Sequence, residues 1–121
     1  MTFPTISYKY NAIEEADTLA ELVDQKLGSL GKFISTEATA ACEVEFEKIA
    51  ANQHGKIFRV EANLRVDGTL HRADAVEESF ELAIDEVRAE LNKKLRRAKD
   101  KNKSLLRRAG QQVKETFFRG G

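Results

Sequence analysis

"IFRVEANLRVDGTLHRADA", residues 57–75, decides how the rest of the chain is read. Phe58, Val60, Ala62, Leu64 and Val66 alternate with Arg59, Glu61, Asn63 and Arg65. A period of two sends the first set to one face of a strand and the second to the other. Asp67-Gly68 follows directly, and this dipeptide favours the tight turn of an antiparallel hairpin because its second residue accepts positive φ. The spacing therefore predicts a short returning strand over "TLHRADA", residues 69–75.

Downstream the period changes. Val76, Phe80, Ile84, Val87, Leu91, Leu95 and Ala98 are spaced 4, 4, 3, 4, 4, 3, which predicts a long helix with a continuous apolar stripe from Val76 onward. Upstream, "ATAACEVEFEK" (38–48) alternates again, with Ala38, Ala40, Cys42, Val44 and Phe46 inward and Thr39, Glu43, Glu45 and Glu47 outward. Leu19, Leu22, Val23, Leu27 and Leu30 mark an earlier helix, opened by Glu14, Glu15 and Asp17 and stopped at Gly31. Ile6, Tyr8 and Tyr10 mark a first strand ending near Asn11.

The resulting order, β-α-β-β-β-α, is an α+β class. Strands joined through a helix lie parallel by a right-handed crossover, and the last three form an antiparallel meander. The expected architecture is a four-stranded mixed sheet with both helices on one face, like a double-stranded-RNA-binding domain. The other face would show Thr39, Glu43, Glu45, Arg59, Glu61 and Arg65 to water.

A length of 121 residues suits one domain. No apolar run approaches the roughly 18 to 20 residues needed to cross a bilayer, and "MTFPTISYKY" lacks the apolar stretch of a secretory signal, so a cytoplasmic protein without a membrane partner is expected. Cys42 is the only cysteine, which excludes an intrachain disulfide and is read as a small buried apolar side chain. His54, in the polar loop "IAANQHGK", and His71, after the hairpin turn, read as ordinary surface or edge residues. Glu43, Glu45 and Glu47 project together, but without a neighbouring histidine they read as a solvated sheet face and not as a metal site. No glycine-rich phosphate loop or nucleophile elbow occurs. No enzyme, cofactor, metal or small-molecule substrate is expected.

Charge carries the functional signal. The formal net charge is zero, yet Arg88–Gly121 holds twelve Lys/Arg against three Asp/Glu, and residues 1–87 hold eight against seventeen. "NKKLRRAKDKNKSLLRR", residues 92–108, contains nine cations and one anion. An acidic first half and a basic second half complement the helix dipole, but that effect fades within about one turn, whereas the basic run continues for four. On a wheel centred on Leu91, Lys93 and Arg96 point away from the core, Arg97, Lys99 and Lys103 spread around them, and Lys94 and Lys101 lie on a flank; Arg88 opens the series. Such a surface reaches phosphates on more than one strand of structured RNA. Lys26 and Lys32, near the end of the first helix, join it only if the fold sets them beside the last helix. Three other readings stay open: a merely solubilising surface, a structured-RNA module directed elsewhere, and a protein-interaction module pairing acidic with basic segments.

Several of these stretches resemble the ribosome hibernation promoting factors, also called ribosome-associated inhibitor A or protein Y. "LAELVDQKLGSLGKF" looks like the family's first helix with its closing Lys-Phe, "VEANLRVDG" and "HRADA" like its third and fourth strands, and "ESFELAIDEVRAELNKKLRRAKDK" like its last helix, with the Ala83-Ile84-Asp85 step. The resemblance covers roughly residues 5–103. It implies a monomer that binds the small ribosomal subunit and its rRNA in the mRNA and tRNA channel, blocking translation and preserving idle ribosomes. It places rRNA-facing cations at Lys26, Lys32, Lys93, Arg96, Arg97, Lys99 and Lys101. Ser29 and Glu90 stand where the family commonly has Lys, and Glu81 where it commonly has Tyr. Residues 1–103 are expected to form the ribosome-binding domain and 104–121 a partly helical or mobile tail, with no room for the second domain of the long members.

Overall fold

The structure, a computed structural model, describes residues 2–49 and 55–119, with side chains through residue 101. His54 and the side chains of the tail, including Lys103, lie outside the described residues. The elements are β1 (Ile6–Asn11), α1 (Asp17–Gly28), a 3-10 turn (Ser29–Phe33), β2 (Ala40–Lys48), β3 (Phe58–Val66), β4 (Thr69–Glu77) and α2 (Phe80–Arg119). The strands form a four-stranded sheet in the order β1-β2-β3-β4, parallel between β1 and β2 and antiparallel elsewhere. The class is α+β with a mixed sheet, as the alternation of periods predicted.

The hairpin turn has the expected chemistry. Asp67 (φ 49°) and Gly68 (φ 86°) both occupy the left-handed region, the mirror-image turn whose twist matches that of the flanking strands. Asp67 also ties the hairpin tip to the start of β2. Its Oδ1 accepts from the Thr39 backbone N–H at 2.9 Å, and its own N–H donates to the Thr39 carbonyl at 2.8 Å. The strand begins after this clasp, at Ala40.

The core lies between the sheet and the two helices. Val23, Leu27, Leu30 and Ile34 from the α1 side meet Cys42, Val44, Phe46, Val60, Ala62 and Leu64 from the sheet and Ala83, Ile84, Val87, Leu91 and Leu95 from α2. Phe46 is fully buried. It stacks on Tyr8 and Tyr10, at 6.0 and 5.4 Å between centroids, and takes Phe80 edge-on at 5.7 Å. Burial, aided by Glu43, pushes the Cys42 thiol up to about 12, so it stays protonated.

Three local readings are corrected. Val76 does not open the long helix: it and Glu77 stay in the β3–β4 ladder opposite Arg59 and Phe58, and the helix starts at Phe80 behind Ser79. The Ser79 hydroxyl accepts from the Leu82 N–H at 3.2 Å, satisfying one of the orphan donors of the first turn. In β4 Val76 is in phase with Arg72 and Asp74 and out of phase with buried Ala73 and Ala75, so the apolar stripe of the helix begins at Phe80. Gly31 does not stop α1, which ends at Gly28; Gly31 sits buried in the 3-10 turn. The backbone of Thr2 and Phe3 runs against it, and a Cβ there would lie 2.6 Å from the Phe3 nitrogen. His71 is at an edge strand but not at the surface: it is buried on the core side of β4, in phase with Ala73 and Ala75.

Three outcomes follow for stability. Gly31→Ala should destabilise the fold by roughly 1 to 3 kcal/mol in urea unfolding, because backbone must move. Gly28→Ala, whose Cβ would meet nothing within 4 Å, should be neutral or stabilise by up to about 1 kcal/mol. Burial, reinforced by nearby Lys94, holds the His71 imidazolium pKa below its ordinary 6.5. The unfolded chain therefore takes up this proton first as pH falls. The stabilisation from keeping His71 neutral is full above about 6.5 and is lost progressively below it. Urea midpoints between about pH 7.5 and 5.5 should fall more for the wild type than for His71→Gln.

Candidate RNA-binding ridge

The apolar stripe of α2 fixes the direction of its cations. With Leu91 and Leu95 against the sheet, Lys93, Arg96, Arg97, Lys99 and Lys101 are turned to solvent. Lys32 joins them from the 3-10 turn, also exposed. Among the described residues, none of these six takes part in an ion pair.

The remaining predicted cations, Lys26, Arg88 and Lys94, have partners inside the molecule. Arg88 is half-buried. Its Nε donates to the Lys26 carbonyl at 3.1 Å, and its Nη2 donates to Ser29 Oγ at 3.0 Å. The guanidinium thus shares the Lys26 carbonyl with the Ser29 hydroxyl, which donates to it at 3.0 Å, at the end of α1. Lys26 pairs with Asp85 of α2. Lys94 donates to the Arg72 carbonyl on the β4 edge and pairs with Glu90 at 3.4 Å. These bonds pin α1 and the sheet edge to α2, which is how Lys26 and Lys32 come to stand beside the last helix.

The carboxylates of the open sheet face are occupied elsewhere. Arg59 bonds Glu47, Glu61 and Asp74 at 3.3, 2.7 and 3.4 Å, Arg72 bonds Glu61 at 2.8 Å, and Lys9 lies 3.8 Å from Glu45. Burial alone would raise the Glu61 pKa, but hydrogen bonds from Arg59 and Asn63 outweigh it and hold the carboxyl below its ordinary value. Among the described residues, no cluster of three His, Cys, Asp or Glu side chains is spaced for a metal ion. Most acidic groups of the sheet are balanced within its own face, while on α2 the carboxylates Glu81, Asp85, Glu86 and Glu90 precede the ridge and only Asp100 lies within it. Among the described residues no helix is long and apolar enough to cross a membrane.

Sequence reasoning missed one feature. Phe33, half-buried at the end of the 3-10 turn, has the Lys32 Nζ 5.2 Å and the Lys99 Nζ 5.9 Å from its ring centroid. The adjacent Lys-Phe pair was visible in the sequence; the arrival of Lys99 from 66 residues away was not.

Residues 6–103 match the family model described as Sigma 54 modulation protein / S30EA ribosomal protein. The fold thus falls within a class of ribosome-associated proteins. The chain belongs to the Sigma 54 modulation / S30EA ribosomal protein family, the family of the hibernation factors that its sequence resembles. Its fold is similar to that of the Thermus thermophilus Protein Y N-terminal domain, with a TM-score of 0.64 at 20% identity over 78% of this chain and 98% of that one. It is also similar to a ribosomal subunit interface protein from Coxiella burnetii, with a TM-score of 0.60 at 20% identity over 78% and 97%. No curated protein matches the chain.

The departures from the family pattern have local reasons. The Ser29 hydroxyl accepts from the Arg88 guanidinium, a bond that a lysine at this position, with no acceptor, would not make. Glu90 is the i,i+4 partner of Lys94, and Glu81 lies in the first turn of α2, where negative charge suits the helix dipole. Removing the α1–α2 staple with Arg88→Met should destabilise the fold by roughly 1 to 3 kcal/mol, since the Lys26 carbonyl and the Ser29 hydroxyl both lose their charged hydrogen bond to α2. Arg96→Ala should stay within about 0.5 kcal/mol of wild type in the same urea titration.

Proposed function

We propose that this protein is a non-enzymatic inhibitor of translation that lies in the mRNA and tRNA channel of the small ribosomal subunit and preserves idle ribosomes. Family membership supports the ribosome as partner. The observation that carries the finer reading is the ridge of Lys32, Lys93, Arg96, Arg97, Lys99 and Lys101, exposed and without carboxylate partners among the described residues. Phosphates of rRNA supply affinity by releasing condensed counterions, and the fit of a rigid helix to folded RNA supplies location. Lys26, Arg88 and Lys94 contribute mainly by holding the ridge in shape, with their charge adding to its field.

Residues 1–103 form the binding domain. The helix continues through the tail to Arg119, and a 40-residue α2 measures roughly 60 Å at 1.5 Å per residue. Residues 104–121 add Arg107, Arg108, Lys114 and Arg119 to the basic end of the chain. The protein acts as a cytoplasmic monomer, without cofactor, small-molecule substrate or membrane partner, and its competition with transfer RNA is steric.

Sedimentation through sucrose tests the partner: the purified protein should travel with small subunits and be displaced by transfer RNA bound to them. Co-sedimentation that transfer RNA leaves unchanged would remove the channel from the account, and a bare RNA duplex competing as well as subunits would remove the ribosome. Replacing Arg96 and Arg97 together with Ala should lower the magnitude of the logarithmic salt slope by roughly one to two, at about 0.7 to 0.9 per lost phosphate contact.

A further inference from the structure

We propose that Phe33, with Lys32 and Lys99, is a stacking site for one unpaired nucleobase of RNA. The proposal deepens the RNA-binding reading of the ridge by adding a contact to a base where that reading supplies only contacts to phosphate.

The ring has an unusual setting. It packs against the core and so stands in a fixed position, yet it keeps some exposure at the junction of the 3-10 turn and α2. The groups lying over it are two ammoniums from separate elements, Lys32 at 5.2 Å and Lys99 at 5.9 Å. Both lysines are exposed and neither has a carboxylate partner among the described residues. Attraction between an exposed ammonium and an aromatic face is weak, and a phosphate oxygen is a stronger partner for the same group. When an RNA backbone arrives, each lysine therefore exchanges the ring for a phosphate. The uncovered aromatic face then accepts the base of the nucleotide whose phosphate was taken. An aromatic ring flanked by cations is the arrangement by which single-stranded RNA is held without reading its sequence. A base in a duplex is already stacked and paired, so the site selects unpaired nucleotides.

The chain contains no tryptophan, so Phe33→Trp introduces a single indole whose fluorescence reports on this position alone. Titration with a short single-stranded oligoribonucleotide should quench it, and an abasic chain of the same length and charge should not. Absence of quenching, or equal quenching by both chains, would overturn the site. Phe33→Leu, checked for folding by its urea midpoint, should weaken binding of the base-bearing oligomer roughly 5- to 150-fold with an unchanged salt slope. Wild-type affinity in that variant would also overturn it. Sedimentation with small subunits reads the ribosomal function separately. Base-dependent quenching without co-sedimentation keeps the stacking site and removes the ribosome; co-sedimentation without base-dependent quenching does the reverse.

Discussion

The packing of one stripe of α2 onto the sheet governs the rest of the molecule. Phe80, Ala83, Ile84, Val87, Leu91 and Leu95 lie against the inner face formed by Phe46, Val60, Ala62, Leu64, Ala73 and Ala75. A helix so fixed cannot turn about its axis without bringing charged residues into the core, at a cost far above that of any surface contact. Its opposite arc is consequently held toward solvent, and the cations placed there form a ridge of defined direction. The small side chains of β4 matter here. Ala73 and Ala75, facing Ala62 and Val60 respectively across the ladder, let the helix lie close to the edge strand, where Lys94 reaches the Arg72 carbonyl.

Charge is paired across the sheet and segregated along α2. The open sheet face carries carboxylates and guanidiniums in cross-strand contact, with Arg59 bridging β2, β3 and β4 through Glu47, Glu61 and Asp74. Such pairs contribute little stability each, but they balance that face over distances of a few ångström. The helices carry carboxylates as well, Glu81, Asp85, Glu86 and Glu90 ahead of the ridge and Asp100 within it, but only Asp85 and Glu90 pair with lysines there among the described residues. A polyanion approaching the ridge meets six cations and the single carboxylate of Asp100, with the sheet's carboxylates roughly the thickness of a domain away, beyond a Debye length at physiological ionic strength. A formal charge of zero is thus compatible with strong attraction on one side.

Arg88 shows how one side chain serves the site without standing in it. Sequence reasoning placed it with the RNA-facing cations because it opens the basic run; in the fold it is half-buried and bonded to Lys26 and Ser29. The same bonds close α1 against α2 and bring Lys32 and Phe33 to the flank where Lys99 arrives. Removing it would disturb both the fold and the geometry of the ridge.

The element order, the hairpin at Asp67-Gly68, the inward sets of β2 and β3 and the direction of α2's cations were all legible in the sequence. Each follows from a local period of two or of 3.6 residues, or from one turn dipeptide, and needs no knowledge of distant neighbours. Tertiary structure decided whatever depends on contact between remote segments. Val76 stayed in β4 because β3 supplied its hydrogen-bond partner, and Gly31 proved to be a place of backbone contact with Phe3. His71 is buried because α2 covers the face on which it stands. Which cations were left without partners could not be read either, since lysines and arginines in one run look alike until the fold brings Asp85, Ser29 and the Arg72 carbonyl within reach of some and not of others.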